Sequence, residues 1–160
     1  MFVLGAACAG KRTVCSNLRA HSDLDLNVVD MNDEILSLNG GVWPDIRTKN
    51  EVLQPKVLDA VCKMSAVLLF NSYMSVDRMR RLRRAGFRPV LLDVSGAELR
   101  RRYRVRLREE GWDNSQWFDW NQSVIEELRK RRMFDHVISG EGEPAVVAAE
   151  ILEYAREARS

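Results

Sequence analysis

The chain has 160 residues, 46% of them hydrophobic and 30% charged, with a formal net charge of +2. That length and balance predict one soluble globular domain with a full core, and they exclude a disordered chain. The near-neutral charge points to no polyanionic partner, no apolar run approaches the ~18 residues of a membrane span, and no basic leader precedes the first apolar segment, so a cytoplasmic protein is expected.

Phe2 to Leu4 reads as a short buried strand that runs into Gly5-Ala6-Ala7-Cys8-Ala9-Gly10-Lys11-Arg12-Thr13 and then an apparent helix. A strand followed by Gly-x-x-x-x-Gly-Lys and a helix is the layout of a phosphate cradle. The glycines let the loop wrap close to an anion, its backbone N–H groups point inward, the lysine adds a point charge, and the helix presents its positive N-terminal end. The chemistry implied is binding of a nucleoside triphosphate by residues 5–13. Arg12 stands where the usual pattern has Ser or Thr, and Thr13 comes one residue late.

Leu26 to Val29 reads as the second strand, ending in Asp30-Met31-Asn32-Asp33-Glu34-Ile35. Open α/β sheets bind ligands at this edge. Asp30 is placed to act as a general base toward an acceptor hydroxyl or to hold magnesium through water, and Asn32 and Asp33 lie within reach of the same volume. The plainer alternative is that Asn32 or Asp33 caps a helix beginning near Glu34, with Asp30 as a turn residue. Leu38 to Thr48 reads as a loop, and its Trp43 either lines the acceptor pocket or anchors that loop. Leu53, Val57, Leu58 and Val61 then mark a helical stripe.

Ala66 to Phe70, Pro89 to Leu92 and His136 to Ile138 complete the strands. Between and after them lie the stripes Val76, Met79, Leu82; Leu99, Tyr103, Leu107; and Val147, Ile151, Tyr154, with Pro144 opening the last helix. This alternation predicts an α/β protein with about five parallel strands covered by helices on both faces. Six arginines lie between Arg100 and Arg108, and helical spacing puts Arg102 and Arg106 on one side. A closing lid could use such guanidinium groups to neutralise a transferring phosphoryl; a solvated face balanced by Glu98, Glu109 and Glu110 is the ordinary alternative. Trp112, Trp117 and Trp120 concentrate between two helices, where they would pack a lid, stack on a substrate ring or bury in a dimer contact. Cys8, Cys15 and Cys62, with only His21 and His136 beside them, lack metal spacing and read as reduced thiols.

Taken in order, these segments resemble the P-loop kinases of the nucleoside, nucleotide and shikimate kinase group. The Gly5-to-Thr13 loop is similar to the adenylate-kinase variant, in which Gly-Lys is followed by a non-hydroxyl residue and then Thr. Asp30 to Ile35 resembles the Asp-x-Asp segment of shikimate kinases with Asn32 in place of the second aspartate. Val90 to Ser95, followed by Glu98-Leu99, resembles the strand and lid entry, and Phe134 to Ile138 the last strand. The resemblance implies a three-layer α/β/α sandwich over residues 1–160 with a lid within 100–132. It also implies transfer of the γ-phosphoryl of ATP, with Mg2+, to a small acceptor such as a nucleoside, nucleotide or similar hydroxylated metabolite. It assigns Lys11, Asp30, Arg102 and Arg106 to catalysis, and Asp30, Asn32, Asp33 and Trp43 to the acceptor. With Arg12 in the hydroxyl position, Thr13 is left as metal or phosphate ligand. The third strand ends in Phe70-Asn71-Ser72-Tyr73 instead of the glycine-rich turn of shikimate kinases. Two other readings stand beside this one: a catalytically degenerate nucleotide-binding regulator, and a nucleic-acid-associated protein using Arg100–Arg108 with Arg129–Arg132, which the net charge disfavours. Oligomeric state is left open, a dimer included.

Overall fold

The computed structural model describes residues 1–20, 25–111 and 113–158; His21 and Trp112 fall outside them. Five strands, β1 (Phe2–Leu4), β2 (Asn27–Asp30), β3 (Val67–Asn71), β4 (Pro89–Asp93) and β5 (His136–Ser139), form one sheet in the order β2-β3-β1-β4-β5. Every pairing is parallel, with Val3 opposite Phe70 on one side and Val90 on the other. Residues of the inner strands β1, β3 and β4 are almost all buried, as expected of strands covered on both faces, whereas β2 and β5 at the edges carry exposed positions.

Seven helices among the described residues complete the layers: α1 (Lys11–Ala20), α2 (Met31–Leu38), α3 (Gln54–Val61, entered through a π-helical turn Thr48–Leu53), α4 (Val76–Arg84), α5 (Gly96–Glu110), α6 (Ser115–Lys130) and α7 (Pro144–Glu157). Local chemistry sets their ends. The hydroxyls of Ser75 and Ser95 accept from the backbone N–H of Arg78 and Glu98 at the starts of α4 and α5, and Gly111, at φ 65°, stops α5 in the left-handed conformation that glycine adopts without strain. Pro144 begins α7, whose Val147, Ala148, Ile151 and Leu152 are buried and which packs against α1. The result is a three-layer α/β/α fold.

The strands predicted from sequence are all present, four of the five displaced or extended by one residue. Leu26 lies before β2 and Asp30 inside it, because strand limits follow the pairing with β3 (Asn27 opposite Val67, Asp30 opposite Phe70) and not the apolar run alone. The tryptophan segment differs from the expectation of an inter-helix stretch: α6 already begins at Ser115, so Trp117 and Trp120 are helical. Trp117 packs against the core, and Trp120, 45% exposed, rests its ring 5.0 Å from that of Tyr73. All three cysteines are free thiols. No helix among the described residues is long and apolar enough to cross a membrane.

Candidate functional site

The carboxyl ends of β1, β2 and β3 meet where the sheet order reverses, and the residues leaving them form the site. Gly5 starts the loop after β1 with its N–H donated to the Asn71 carbonyl at the end of β3 (3.3 Å). A Cβ on Gly5 would sit 3.0 Å from the Leu92 carbonyl oxygen, so the loop can leave β1 this close to β4 only as glycine. Cys8 at φ 65° and Gly10 at φ 92° turn the chain twice before α1. Ala9 N–H closes a turn on the Ala6 carbonyl (3.1 Å), and Ala6, Ala7 and Ala9 are buried. Cys8, Gly10 and the first turn of α1, whose amides have no intrahelical acceptor, are left to face an anion.

Lys11 folds back beneath this loop. Its Nζ donates to the carbonyls of Gly5 and Ala6, both at 2.7 Å, and the side chain is buried. Burial pulls its pKa from 10.5 down to about 8, against the opposing pull of Asp30; the Arg106 charge lowers it further. The lysine is thus a poorly solvated cation tethered to the loop, and a triphosphate arriving there would supply the counter-charge it lacks. Arg12 points away, its guanidinium 3.9 Å from Asp33, and Thr13 is exposed on α1 with its carbonyl accepting from Asn17.

Asp30 is buried and occupies the N-cap of α2: its Oδ1 accepts from the N–H of Asn32 (2.8 Å) and Asp33 (3.3 Å). The alternative cap expected from sequence is therefore misplaced. The helix begins at Met31, not near Glu34, and the capping residue is Asp30 itself. Asp33 turns toward α1, where Arg19 donates to it at 2.7 Å. Asn32 is half-buried, and Trp43 is 51% exposed in the loop after α2, its ring covered by Lys49 Nζ at 4.8 Å.

Arg102 and Arg106 share a face of α5, as the helical spacing predicts. Arg102 is anchored: Nε donates to Glu98 (2.7 Å), Nη1 to the Ala9 carbonyl (3.3 Å) and Nη2 to the Gly140 carbonyl (2.9 Å), bracing the phosphate loop against the turn after β5. Glu98, gripped by Arg101 and Arg102, is held down to about 2. Arg106 pairs with Glu110 (2.7 Å) and lies near Cys8, where its charge opposes the upward push of burial on that thiol. Glu98 and Glu110 thus each hold one arginine that approaches the loop, whereas Arg100, Arg101, Arg104 and Arg108 are exposed.

Four further residues shape the site without having been singled out from sequence. Asn71 at the end of β3 holds its own turn, accepting from Ser72 N–H (2.8 Å) and donating to the Tyr73 carbonyl (2.6 Å). Gln54, buried at the start of α3, accepts from Arg78 of α4 and donates to the same Tyr73 carbonyl. Gly140 lets the turn after β5 press on the loop, since a Cβ there would meet Val94 at 2.7 Å and the Ala9 carbonyl at 3.1 Å. Asn121 of α6, fully buried, accepts from Ala7 N–H at 2.7 Å. Its signal is present in the sequence: Phe118, Asn121, Ile125 and Leu128 fall on one helical face, and the asparagine interrupts an apolar stripe.

The sequence matches no protein-family model. Nor does it match any curated protein. Its structure is similar to shikimate kinase from Aquifex aeolicus (TM-score 0.65, 21% identity, 99% of this chain and 96% of that one). It is also similar to shikimate kinase from Acinetobacter baumannii in complex with shikimate (0.66, 19%, 98% and 92%) and to a gluconokinase from Sinorhizobium meliloti 1021 (0.66, 14%, 98% and 90%). The likeness spans nearly the whole of each chain, and the chain has the three-layer α/β/α fold of these shikimate kinases and this gluconokinase.

Proposed function

We propose that this protein is a small-molecule kinase, a single P-loop kinase-like domain that transfers the γ-phosphoryl group of ATP to a hydroxyl of a small acceptor: a nucleoside, a nucleotide or a similar hydroxylated metabolite. The observation that carries the reading is the pairing of a buried lysine under an anion-ready loop after β1 with a buried carboxylate, Asp30, that ends β2 and caps α2. The fold's likeness to shikimate kinases and a gluconokinase supports the same class.

In this reading the free loop amides and Lys11 bind the β and γ phosphates, Asp30 orients or deprotonates the acceptor hydroxyl, and Arg106 covers the transferring group from a lid within 100–132. Arg102 fixes the loop that Arg106 covers. Asn32 and Trp43 border the acceptor side. The donor set suits Mg2+, which is commonly held by one or two carboxylates together with substrate phosphates. Asp30 would hold it, through water, while Arg12 and the exposed Thr13 offer it little; bound there, it would neutralise charge on the phosphates. Three free cysteines fit a reducing, cytoplasmic setting.

The test is transfer from labelled ATP to a panel of nucleosides, nucleoside monophosphates, polyols and cyclic alcohols with magnesium, with Lys11→Ala as control. Labelled product that disappears in the control is expected and names the acceptor class. Tight ATP binding with no product for any acceptor would favour instead a nucleotide-binding regulator, the outcome to which Arg12 in the hydroxyl position points. Equal turnover by parent and Lys11→Ala would remove the loop from the chemistry.

A further inference from the structure

Asn121 is a fully buried polar side chain in the apolar face of α6, flanked along that face by Phe118 and Ile125, both buried. A leucine there would suit the core, and burying an amide is costly unless both ends find partners. Asn121 finds them on two different parts of the site. Its Oδ1 accepts from the Ala7 N–H of the phosphate loop at 2.7 Å, and its Nδ2 donates to the Ser72 carbonyl, just past the end of β3, at 2.6 Å. The preceding residue, Trp120, packs its ring at a tilt 5.0 Å from that of Tyr73 in the same turn, so two consecutive side chains of α6 touch the β3 exit. The loop is also tied to that exit directly, by Gly5 N–H on the Asn71 carbonyl.

We propose that Asn121 is a positioning residue for phosphoryl transfer: it clamps the phosphate loop to the β3 exit and so holds the donor cradle in register with the acceptor side of the sheet. The proposal rests on the kinase reading above. Its geometry has a corollary for the cradle. Because Ala7 N–H is already committed to Asn121 and Ala9 N–H to the Ala6 carbonyl, the loop amides that bind phosphate are those of Cys8, Gly10 and the first turn of α1. Asn121 orders the loop so that the remaining donors converge, and it touches neither nucleotide nor acceptor.

The experiment uses Asn121→Leu, which fills the same space without hydrogen bonds, and Asn121→Asp, which keeps an acceptor for Ala7 N–H but sets a carboxylate against the Ser72 carbonyl. MgATP affinity by calorimetry, steady-state kinetics with the best acceptor, thermal midpoint, and hydrogen exchange of the Ala7 amide without nucleotide are measured on the parent and both variants. For Asn121→Leu the expected result is faster exchange at Ala7 and MgATP affinity weakened about tenfold, the scale of one lost hydrogen bond. KM for ATP should rise more than kcat falls. Asn121→Asp should weaken MgATP further, because it sets a negative charge against the Ala7 amide on the back of the loop. A lowered thermal midpoint with unchanged MgATP affinity and KM would make Asn121 a core hydrogen bonder only and overturn the proposal. Parent-like behaviour of Asn121→Asp would remove the Ser72 half of the clamp and overturn it too. A parent that binds no MgATP at all would overturn the kinase reading, and the purpose assigned to Asn121 with it.

Discussion

Burial of Lys11 makes a prediction in which affinity and stability move in opposite directions with pH. The pKa falls from 10.5 to about 8 because the ammonium loses its water on burial. At about 1.4 kcal/mol per pH unit, the charged form is disfavoured by about 3 kcal/mol relative to a solvated lysine. A triphosphate in the cradle favours the charged form and returns the pKa toward or above its ordinary value. Below pH 8 the lysine is charged with or without nucleotide, and affinity does not depend on its titration. Above pH 8 binding must take up a proton, so affinity falls by up to tenfold per unit. By pH 9.5 the MgATP dissociation constant should have risen about thirtyfold if the pKa in the complex reaches 10.5 or more.

Without nucleotide the sign reverses. The unfolded chain keeps its lysine proton up to 10.5 while the folded one releases it near 8, so between those values the unfolded state binds more protons and stability rises with pH. The penalty of burying the charge is fully present below pH 8, and about 2 kcal/mol of it is relieved by pH 9.5. The assay is MgATP calorimetry from pH 7.5 to 9.5 alongside urea denaturation over the same range. Lys11→Met is the control, and it should flatten the lysine component of both curves. An affinity that stays level to pH 9.5, with binding intact, would refute the argument that the lysine is a desolvated cation waiting for an anion.

Asp30 separates its two duties by substitution. Asp30→Asn still accepts from the Asn32 and Asp33 amides and should keep the thermal midpoint and the affinity for ATP measured without magnesium while transfer falls by about a hundredfold or more; unchanged transfer would remove Asp30 from the chemistry. Asp30→Ala should in addition lose about 1 kcal/mol with the helix cap, read by urea denaturation. At Gly140, alanine would drive its methyl into Val94 and the Ala9 carbonyl. An overpacking cost of about 1–3 kcal/mol is expected together with weaker MgATP binding, because the strain falls on the loop. A destabilised Gly140→Ala variant that binds MgATP normally would show that the turn and the loop are mechanically separate.

The glycine-bounded loop after β1 was legible in the sequence because its backbone requirements are local. A backbone at φ 92° at Gly10, and a loop start at Gly5 where a Cβ would lie 3.0 Å from the Leu92 carbonyl oxygen, favour glycine at both positions, and Lys11 follows the second directly. The inner strands were legible because both their faces are buried and nothing polar interrupts them. What the sequence concealed depends on distant partners. Six arginines in nine residues look alike, and only the packing of α5 shows Arg102 spent on the Ala9 and Gly140 carbonyls and Arg101 on Glu98. Asn121 meets a loop amide 114 residues away, a pairing that its position in an apolar stripe marks as unusual but does not name.

Asp30 shows why a structural and a catalytic role need not compete at one residue. Asp30 caps α2, yet both cap bonds fall on Oδ1, leaving Oδ2 outside the cap. Two backbone amides at the positive end of α2 hold the carboxylate in one orientation, and a fixed acceptor loses less freedom when a substrate hydroxyl arrives than a swinging one would. The cap is then part of the preorganisation of the candidate base. It follows that Asp30→Asn, which retains that geometry and loses only the charge, isolates what the charge contributes, while Asp30→Ala removes geometry and charge together.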